Sequence, residues 1–261
     1  MTSISNHFAI LQSRHLFSIT LNLVTPIHIG STQEDAITSD APIMRDANKR
    51  PFIPGSSIKG IMRTASERLA HLVTDTTICF TEQKKCELDT TTIKAQTEAA
   101  LYEQIDEKIC PVCRTYGGGT IASHVYFKHA YFDKDVTVKT RERASNRIDR
   151  ETGTAADSAL YWYEYIAAGQ QLTLTFEAEN LSEENLKILG VALLQLRRDL
   201  LRIGGLQARG LGQIEFVSGQ VTVEDFTSTN KEDALRTLLD FNKPTATTVD
   251  IDTFLETIFL P

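Results

Sequence analysis

Apolar positions follow two periods along the chain, and each period predicts a different element. Residues 15–29 alternate apolar and polar side chains, which is typical of a half-buried strand. In residues 56–72 the apolar side chains recur every three or four positions, which predicts a helix. The first half of the chain is therefore predicted to pass from a strand through a loop into a helix.

The second half repeats this pattern. Residues 160–179 predict two strands joined by a turn at 167–169, and residues 213–223 predict a further strand. Between them, Ser182 is a predicted helix cap and Gly204 a predicted helix stop. The apolar seam of this helix comprises Leu186, Leu189, Leu193, Leu196, Leu200 and Ile203. Two strand–helix–strand units favour an antiparallel sheet with helices on one face.

Length, composition and charge limit the possible classes of protein. The 261 residues are 41% hydrophobic, enough for one large core or two small ones. A formal net charge of −7 argues against binding nucleic acid by bulk attraction, so any such contact must be local. We find no secretory signal pattern and no apolar stretch of membrane-spanning length. These features predict a soluble, cytoplasmic protein without membrane contact, in which stable disulfides are not expected.

The segment PFIPGSSIKG, at the start of the first helix, is a candidate phosphate site. Free amides of a first helical turn attract anions, and Ser56 and Ser57 could cap this end. Lys59 and Arg63, four residues apart, lie on the same face of the helix. The alternative is an ordinary serine cap with two solvated cations, and the spacing alone favours this alternative.

All four cysteines lie within one 35-residue stretch, as Cys79, Cys86, Cys110 and Cys113. The last two form a C-x-x-C knuckle, and two further thiolates can complete a tetrahedral site, so structural zinc is predicted. His124 or His129 could replace one ligand because the spacing between the first two cysteines is wide. Four free thiols are the alternative.

Two further segments carry features of single-stranded nucleic-acid binding. The first contains Arg141, Arg143, Arg147 and Arg150, directly before the aromatic residues at 161–163. The second, IGGLQARGLGQIEF, has glycines that allow close backbone approach, and it includes Arg209 and Gly210. The alternatives are a solvated hairpin whose aromatic residues pack in the core and a tight helix-to-strand turn.

Five motifs occur in a fixed order that carries more information than any one of them. A strand ending in HIG is followed by PFIPGSSIKGIMR, CPVCRTYGG, IDRETGTA and GGLQARGLGQIEF. In this order they resemble the backbone subunits of type III CRISPR effector complexes of the Csm/Cmr type, which are members of the RAMP superfamily of RNA-binding proteins. The resemblance covers roughly residues 15–223.

The resemblance implies an α+β fold with a ferredoxin-like core similar to an RNA-recognition motif. It implies one domain over residues 1–226, with a zinc-binding insertion at about 74–120 and a β-hairpin thumb at 133–159. The tail, residues 227–261, lies outside the resemblance and is expected to pack on the domain. Ser56, Ser57, Lys59 and Arg63 would then hold guide-RNA phosphates, with the glycine-rich loop near the same backbone.

The resemblance also implies a function. Such subunits bind CRISPR RNA, assemble with copies of themselves or homologous subunits in a helical filament, and join other type III effector subunits. Repeated subunits of this type cut complementary target RNA at regular intervals, with assistance from Mg²⁺ or another divalent ion. A non-cleaving structural subunit is the alternative.

Asp40 matches the catalytic aspartate of such members, because it precedes a segment of the form Pro-apolar-apolar-basic-Asp. Glu34 and Asp35 are rival candidates, whereas Asp46 lies closer to the helix and is expected to support a turn. A third function, processing of the guide precursor, would require a general base such as His28.

Overall fold

The computed structural model describes residues 10–31, 39–80, 86–88, 98–133, 136–156, 159–227, 230–240 and 244–260. The strands in these ranges are β1 (Ser13–Leu23), β2 (Phe52–Ile53), β3 (Val125–Phe127), β4 (Ala130–Tyr131), β5 (Thr140–Ser145), β6 (Tyr161–Ile166), β7 (Gln171–Glu179), β8 (Ile214–Asp225) and β9 (Ala246–Asp250). The helices are α1 (Gly55–Leu69), α2 (Glu98–Lys108), α3 (Pro111–Tyr116), α4 (Glu183–Arg197), α5 (Lys231–Leu238) and α6 (Ile251–Phe259).

The main sheet has the strand order β3-β7-β1-β8-β9 within the described ranges, and each neighbouring pair is antiparallel. Its central strand β1 buries Phe17, Ile19, Leu21 and Leu23, so the predicted alternation is confirmed. The strand ends at Leu23, earlier than predicted, and residues 27–30 make only isolated bridges. The protein is thus a mixed α and β fold built on an antiparallel sheet.

The predicted helices α1 and α4 pack against each other and enclose the core. Helix α1 buries Ile58, Met62 and Ala65, and the Gln195 side chain of α4 donates to the carbonyl oxygen of Ala65 at 2.9 Å. The buried hydroxyl of Ser66 contacts both Tyr116 Oη and the carbonyl of Ile188. Through this hydroxyl, α1 is connected to α3 and α4 at once.

The predicted start of α4 is confirmed, but its predicted end is wrong. Ser182 Oγ accepts a hydrogen bond from the amide of Asn185 at 3.1 Å, as a helix cap should. The helix ends at Arg197 because Asp199 is left-handed, with φ 58°, and the Leu200 amide turns back to Gln195 O. Leu200 is therefore 60% exposed and does not continue the apolar seam as far as Gly204.

The C-terminal segment joins the same fold. Strand β9 extends the sheet beside β8, and α6 packs on α4. A Cβ on Gly190 would come within 2.8 Å of the Phe259 ring, so this glycine lets the two helices approach closely. In the part of the chain that the structure describes, no helix is long and apolar enough to cross a membrane.

The aromatic strand β6 does not belong to the main sheet. It pairs with β5 in a separate two-stranded ladder, so the hairpin extends beyond the predicted segment 133–159. A turn at Gly169, with φ 78°, then leads into β7. The two strands predicted in 160–179 are both present, but they lie in different sheets.

Candidate nucleic-acid interface and metal site

The four cysteines converge on one point in the interior. Their sulfur atoms all lie within 4.8 Å of one another, and all four residues are buried. Sulfurs around a tetrahedral zinc stand roughly 3.8 Å apart. Cys79 Sγ lies 3.4 Å from Cys113 Sγ and 3.8 Å from Cys110 Sγ, so the cluster has the dimensions of a metal site.

Local structure explains how the knuckle forms. Cys110 is the N-cap of α3, Pro111 fixes the first helical position, and Cys113 follows within the first turn. The Cys110 amide donates to Cys86 Sγ at 3.4 Å, which supports a negatively charged sulfur. A hydrogen bond from Cys113 lowers the pKa of Cys110 to about 4, whereas burial raises the pKa of Cys86 to about 11.

The two alternative histidine ligands lie elsewhere. His124 Nδ1 donates to the carbonyl of Glu179 at 2.8 Å. His129 Nδ1 accepts the amide proton of Gly55 at 3.0 Å, at the start of α1. Among the described residues, the group able to hold a metal therefore consists of the four cysteines.

Arg63 extends from α1 to this cluster. Its Nη2 donates to Cys113 Sγ at 3.2 Å, its Nη1 to the carbonyl of Gly117 at 2.8 Å, and its Nε to Glu67 at 2.9 Å. The side chain is only 19% exposed. A cation in this position offsets the negative charge of thiolates, which suits a ligand-supporting role.

The predicted serine cap of α1 is wrong. Pro54 is the N-cap, with no side-chain hydrogen bond, and Ser56 and Ser57 lie inside the first turn. The amide of Gly55 is bonded to His129, and that of Ser57 to the Pro54 carbonyl. Two of the first amides therefore already have partners within the chain.

Helix α1 separates two cavities. A cleft of about 700 Å³ lies between α1 and the glycine-rich loop, lined on the helix by Ser57, Gly60, Thr64 and Arg68 and on the loop side by Arg202, Gly204 and Gly205. A second cavity of about 430 Å³ contains Lys59 and Arg63 and adjoins the cysteines. Desolvation, followed by the charge of Arg63, lowers the pKa of Lys59. Ser57 and the glycine loop are brought together as predicted, whereas the two cations face the other cavity.

The glycine loop needs its glycines for packing against the strand end. Gly204 has φ 87°, and a Cβ there would stand 2.4 Å from the His28 carbonyl oxygen. The Gly205 amide donates to that same oxygen at 2.8 Å. Gly210, with φ 88°, ends the short turn that presents Arg209. The loop is thereby fixed beside residues 28–30.

The β5–β6 hairpin sorts its side chains onto two faces. In the observed register Arg141 lies opposite Tyr165, Arg143 opposite Tyr163, and Ser145 opposite Tyr161. Because side chains alternate along strands, these residues share one face, and Trp162 and Glu164 lie on the other. Arg147 and Arg150 are exposed farther along the hairpin. The predicted combination of cations and aromatic rings is thus present on a single face.

Asp40 lies at the edge of β6 that does not pair with β5. Its Oδ2 accepts the amide proton of Trp162 at 2.8 Å, and the neighbouring Ala41 forms a parallel bridge with Tyr163. The residue is exposed. Glu34 and Asp35 lie outside the described residues. Asp46 accepts the amide protons of Asn48 and Arg50, so it closes a turn as predicted.

His28 lies along the same edge of β6 as Asp40. Its Nδ1 donates to the Glu164 carbonyl at 2.6 Å, and its ring meets Tyr163 edge to face with centres 5.8 Å apart. Glu164 is two residues from Trp162, about 7 Å along a strand. Both side chains are therefore anchored on the backbone of one short strand.

Several contacts at this edge could not be anticipated from local patterns. The Glu164 carboxylate pairs with Arg45 and accepts the amide proton of Ile43. Arg209 donates to the hydroxyl of Tyr161. In both cases the partners are far apart in the chain, so only tertiary structure reveals them.

Comparison with known proteins agrees with these features. A model of the RAMP superfamily matches residues 20–215. The CRISPR system Cms endoribonuclease Csm3 of Enterococcus italicus is 28% identical over 225 residues, which cover 80% of this chain and 94% of that protein. The protein of the same name from Methanocaldococcus jannaschii is 26% identical over 219 residues, covering 79% of each.

Proposed function

Because the chain belongs to the RAMP superfamily, we propose that it is a guide-RNA-binding backbone subunit of a type III CRISPR ribonucleoprotein and that it cleaves complementary target RNA at regular intervals. The observation that carries this proposal is the exposed Asp40, anchored on the hairpin that presents rows of arginine and tyrosine. The names of the two relatives, both CRISPR endoribonucleases, support cleavage over a purely structural role.

The architecture supports a ferredoxin-like core. Strands β1, β3, β7 and β8, with α1 and α4 as crossovers, have the spatial order expected of a doubled β-α-β unit. On this interpretation, residues 1–226 form one domain, with a zinc-binding insertion and a hairpin thumb. The tail 227–261 would cover the outer edge of the sheet.

The guide RNA would lie along the cleft between α1 and the glycine loop. Gly60 lies on its α1 wall, and among the described residues a Cβ built there would meet no atom beyond the adjacent helix backbone within 4 Å, so a phosphate can approach the helix. Arg68 and Arg202 supply charge at this cleft. Backbone contacts of this kind hold RNA without reading its sequence.

The target strand would pass over the β5–β6 hairpin. Arg141, Arg143, Arg147 and Arg150 would neutralise its phosphates, and the partly exposed Tyr161 and Tyr165 offer stacking surfaces. Asp40 lies beside this hairpin, bonded to the backbone of β6. A carboxylate there can orient or deprotonate a ribose 2′-hydroxyl, so that attack on the adjacent phosphorus leaves a 5′-hydroxyl.

Two metals are part of the proposal. Zinc at Cys79, Cys86, Cys110 and Cys113 would have a structural role, supported by the burial and spacing of the sulfurs. Asp40 would hold Mg²⁺ or another divalent ion, which would supply positive charge to neutralise the RNA phosphate. One carboxylate with substrate oxygens is a common way of holding Mg²⁺.

In the cell the chain would act in the cytoplasm, in a filament with copies of itself or homologous subunits and with other type III effector subunits. The decisive experiment is purification of the complex from its native host, followed by sequencing of bound RNA and mapping of target cleavage. We expect repeat-tagged guides and evenly spaced cuts. A complex that carries guides but leaves matched target intact would indicate a non-cleaving subunit, and absence of RNA would contradict the whole proposal.

A further inference from the structure

Arg209 and Tyr161 meet beside Asp40 although 48 residues separate them in the chain. Arg209 Nη1 donates to the Tyr161 hydroxyl oxygen, and the guanidinium carbon lies 6.0 Å from the ring centre. This contact joins the glycine-rich loop to the end of the β5–β6 ladder nearest the connecting segment.

The backbone fixes all three side chains. Tyr161 is the first residue of β6, and the amide of the next residue, Trp162, holds Asp40 Oδ2 at 2.8 Å. Arg209 ends a short turn bounded by the left-handed residues Leu206 and Gly210, with φ 58° and 88°. Arg209 therefore contacts the side chain of Tyr161, and Asp40 contacts the backbone of the next residue, Trp162.

The charges at this edge are not compensated within the part of the chain described here. No carboxylate lies within ion-pair distance of Arg209 among the described residues, and Asp40 likewise has no cationic partner there. Several other arginines do pair with a carboxylate: Arg14, Arg45, Arg50, Arg63, Arg114, Arg197 and Arg236. Arg209 is exposed, and its one side-chain partner is a phenol, which offers no full negative charge.

We propose that Arg209 is a second catalytic residue, which binds the scissile phosphate of the target RNA opposite Asp40, with Tyr161 as the positioning residue that aims its guanidinium. This inference rests on the proposed function and adds to it the group that stabilises charge in the transition state. Hydrogen bonding to Ser145 and Arg209 lowers the pKa of the Tyr161 hydroxyl, in keeping with a phenol oxygen that accepts from a cation.

Arg209 transfers no proton in the proposed reaction. The ribose 2′-oxygen loses its proton to Asp40 and bonds to the adjacent phosphorus, while the bond from phosphorus to the 5′-oxygen breaks. Water protonates the departing 5′-oxygen, which gives a 2′,3′-cyclic phosphate and a 5′-hydroxyl, and Asp40 later returns its proton to solvent. Negative charge grows on the non-bridging oxygens, where a two-pronged guanidinium is most effective.

The test is single-turnover cleavage by assembled complexes, with target affinity measured in parallel. We expect Arg209→Ala to slow cleavage of bound target about 10²- to 10³-fold, the usual cost of one lost transition-state donor, with affinity nearly unchanged. Arg209→Lys keeps the positive charge but lacks the two parallel N–H donors of a guanidinium. Its cleavage rate should therefore lie between those of Arg209→Ala and wild type. Tyr161→Phe should slow cleavage by up to about 10²-fold through misplacement of the guanidinium.

Matched controls separate this role from general electrostatics and from folding. Arg236→Ala removes the same charge from the exposed helix α5 and should cleave at the wild-type rate. Added guanidinium ions should partly restore cleavage by Arg209→Ala and leave wild type unaffected. Thermal unfolding and metal content of each variant should match wild type.

Two results would overturn the assignment of Arg209 while leaving the proposed function intact. One is wild-type cleavage by Arg209→Ala. The other is an equal loss of affinity and rate without rescue, which would make Arg209 a binding contact only. A wild-type complex that binds target and never cleaves it would overturn both proposals together.

Discussion

The cysteine cluster and the Asp40 edge are built in opposite ways. The cluster is buried, and its sulfurs, the Arg63 guanidinium and the surrounding amides satisfy one another. Asp40 and Arg209 are exposed, and among the described residues Asp40 contacts the Trp162 amide and Arg209 contacts the Tyr161 side chain. The first region has the dimensions of a metal site, whereas the second presents an exposed carboxylate and an exposed cation.

This difference indicates which residues should affect folding and which should affect RNA binding or cleavage. Helix α1 takes part in the first region and in the proposed guide-RNA cleft, because Arg63 points to the cluster while Ser57 and Gly60 line the cleft facing the glycine loop. The interior region should therefore respond to metal and acid, and the exposed region to RNA and salt. Each of the following experiments tests that division.

The largest effect should follow from breaking the cluster. Structural zinc contributes on the order of 10 kcal/mol to the folding of the segments it holds. We expect purified protein to contain one zinc per chain, and Cys110→Ser with Cys113→Ser to lose it together with the cooperative thermal unfolding of wild type. Metal analysis and calorimetry measure the two losses.

Zinc added back after chelation of the wild-type protein should restore the transition, which serves as the control. Full thermal stability of zinc-free wild type would contradict a structural metal and would favour free thiols in the interior.

The features of these two regions that can be predicted from the sequence are those that depend on local patterns. The α1 and α4 helices, the Ser182 cap and the clustering of four cysteines follow from spacing along the chain. The inward turn of Arg63 could not be predicted, because its acceptor Cys113 is 50 residues away. The same is true of Gly55 and His129, 74 residues apart, whose contact removes the need for a serine cap.

The next largest effect should follow from substitution of Asp40 at the edge of β6. We expect Asp40→Ala to slow target cleavage by about 10² to 10⁴, the usual value of acid–base assistance, with little change in target affinity. Asp46→Ala is the matched control, since that carboxylate closes a turn with Arg50 and its loss should act on local stability. Cleavage and binding of labelled target by assembled complexes measure the outcome.

Full-rate cleavage by Asp40→Ala would exclude its catalytic role and would turn attention to Glu34 and Asp35. Loss of binding together with cleavage would instead make Asp40 a structural residue of the hairpin base.

A smaller effect is expected when acid lowers the stability of the buried interior. His15 is 6% exposed beneath Phe254, and among the described residues its Nδ1 has no hydrogen-bond partner. Burial lowers the pKa of His15 to about 4, so the folded state prefers the neutral ring. Above pH 6.5 the His15 ring is neutral in both the folded and the unfolded state, so it does not reduce the free energy of unfolding. Between pH 6.5 and about 4 only the unfolded chain takes the proton, so stability should fall by about 3 kcal/mol.

Denaturant unfolding of the purified protein across this pH range measures the effect. His15→Leu should flatten the profile, and His71→Leu, at an exposed position, should leave it unchanged. Equal slopes for wild type and His15→Leu would show that the buried ring is not the source.

The smallest effect distinguishes two arginines that looked alike in the sequence. Each cation that neutralises a phosphate of single-stranded RNA contributes about 0.7 to the slope of log affinity against log salt. Arg143 is exposed on the aromatic face of the hairpin, so Arg143→Ala should reduce that slope by about 0.7 without altering thermal stability or zinc content. Arg63 donates to Glu67, Gly117 and Cys113, so Arg63→Ala should weaken zinc retention and leave the slope unchanged. If Arg63 contacts a phosphate, as the sequence predicts, Arg63→Ala should instead lower the slope and retain zinc. Salt titrations of RNA binding, combined with metal analysis, distinguish these two outcomes.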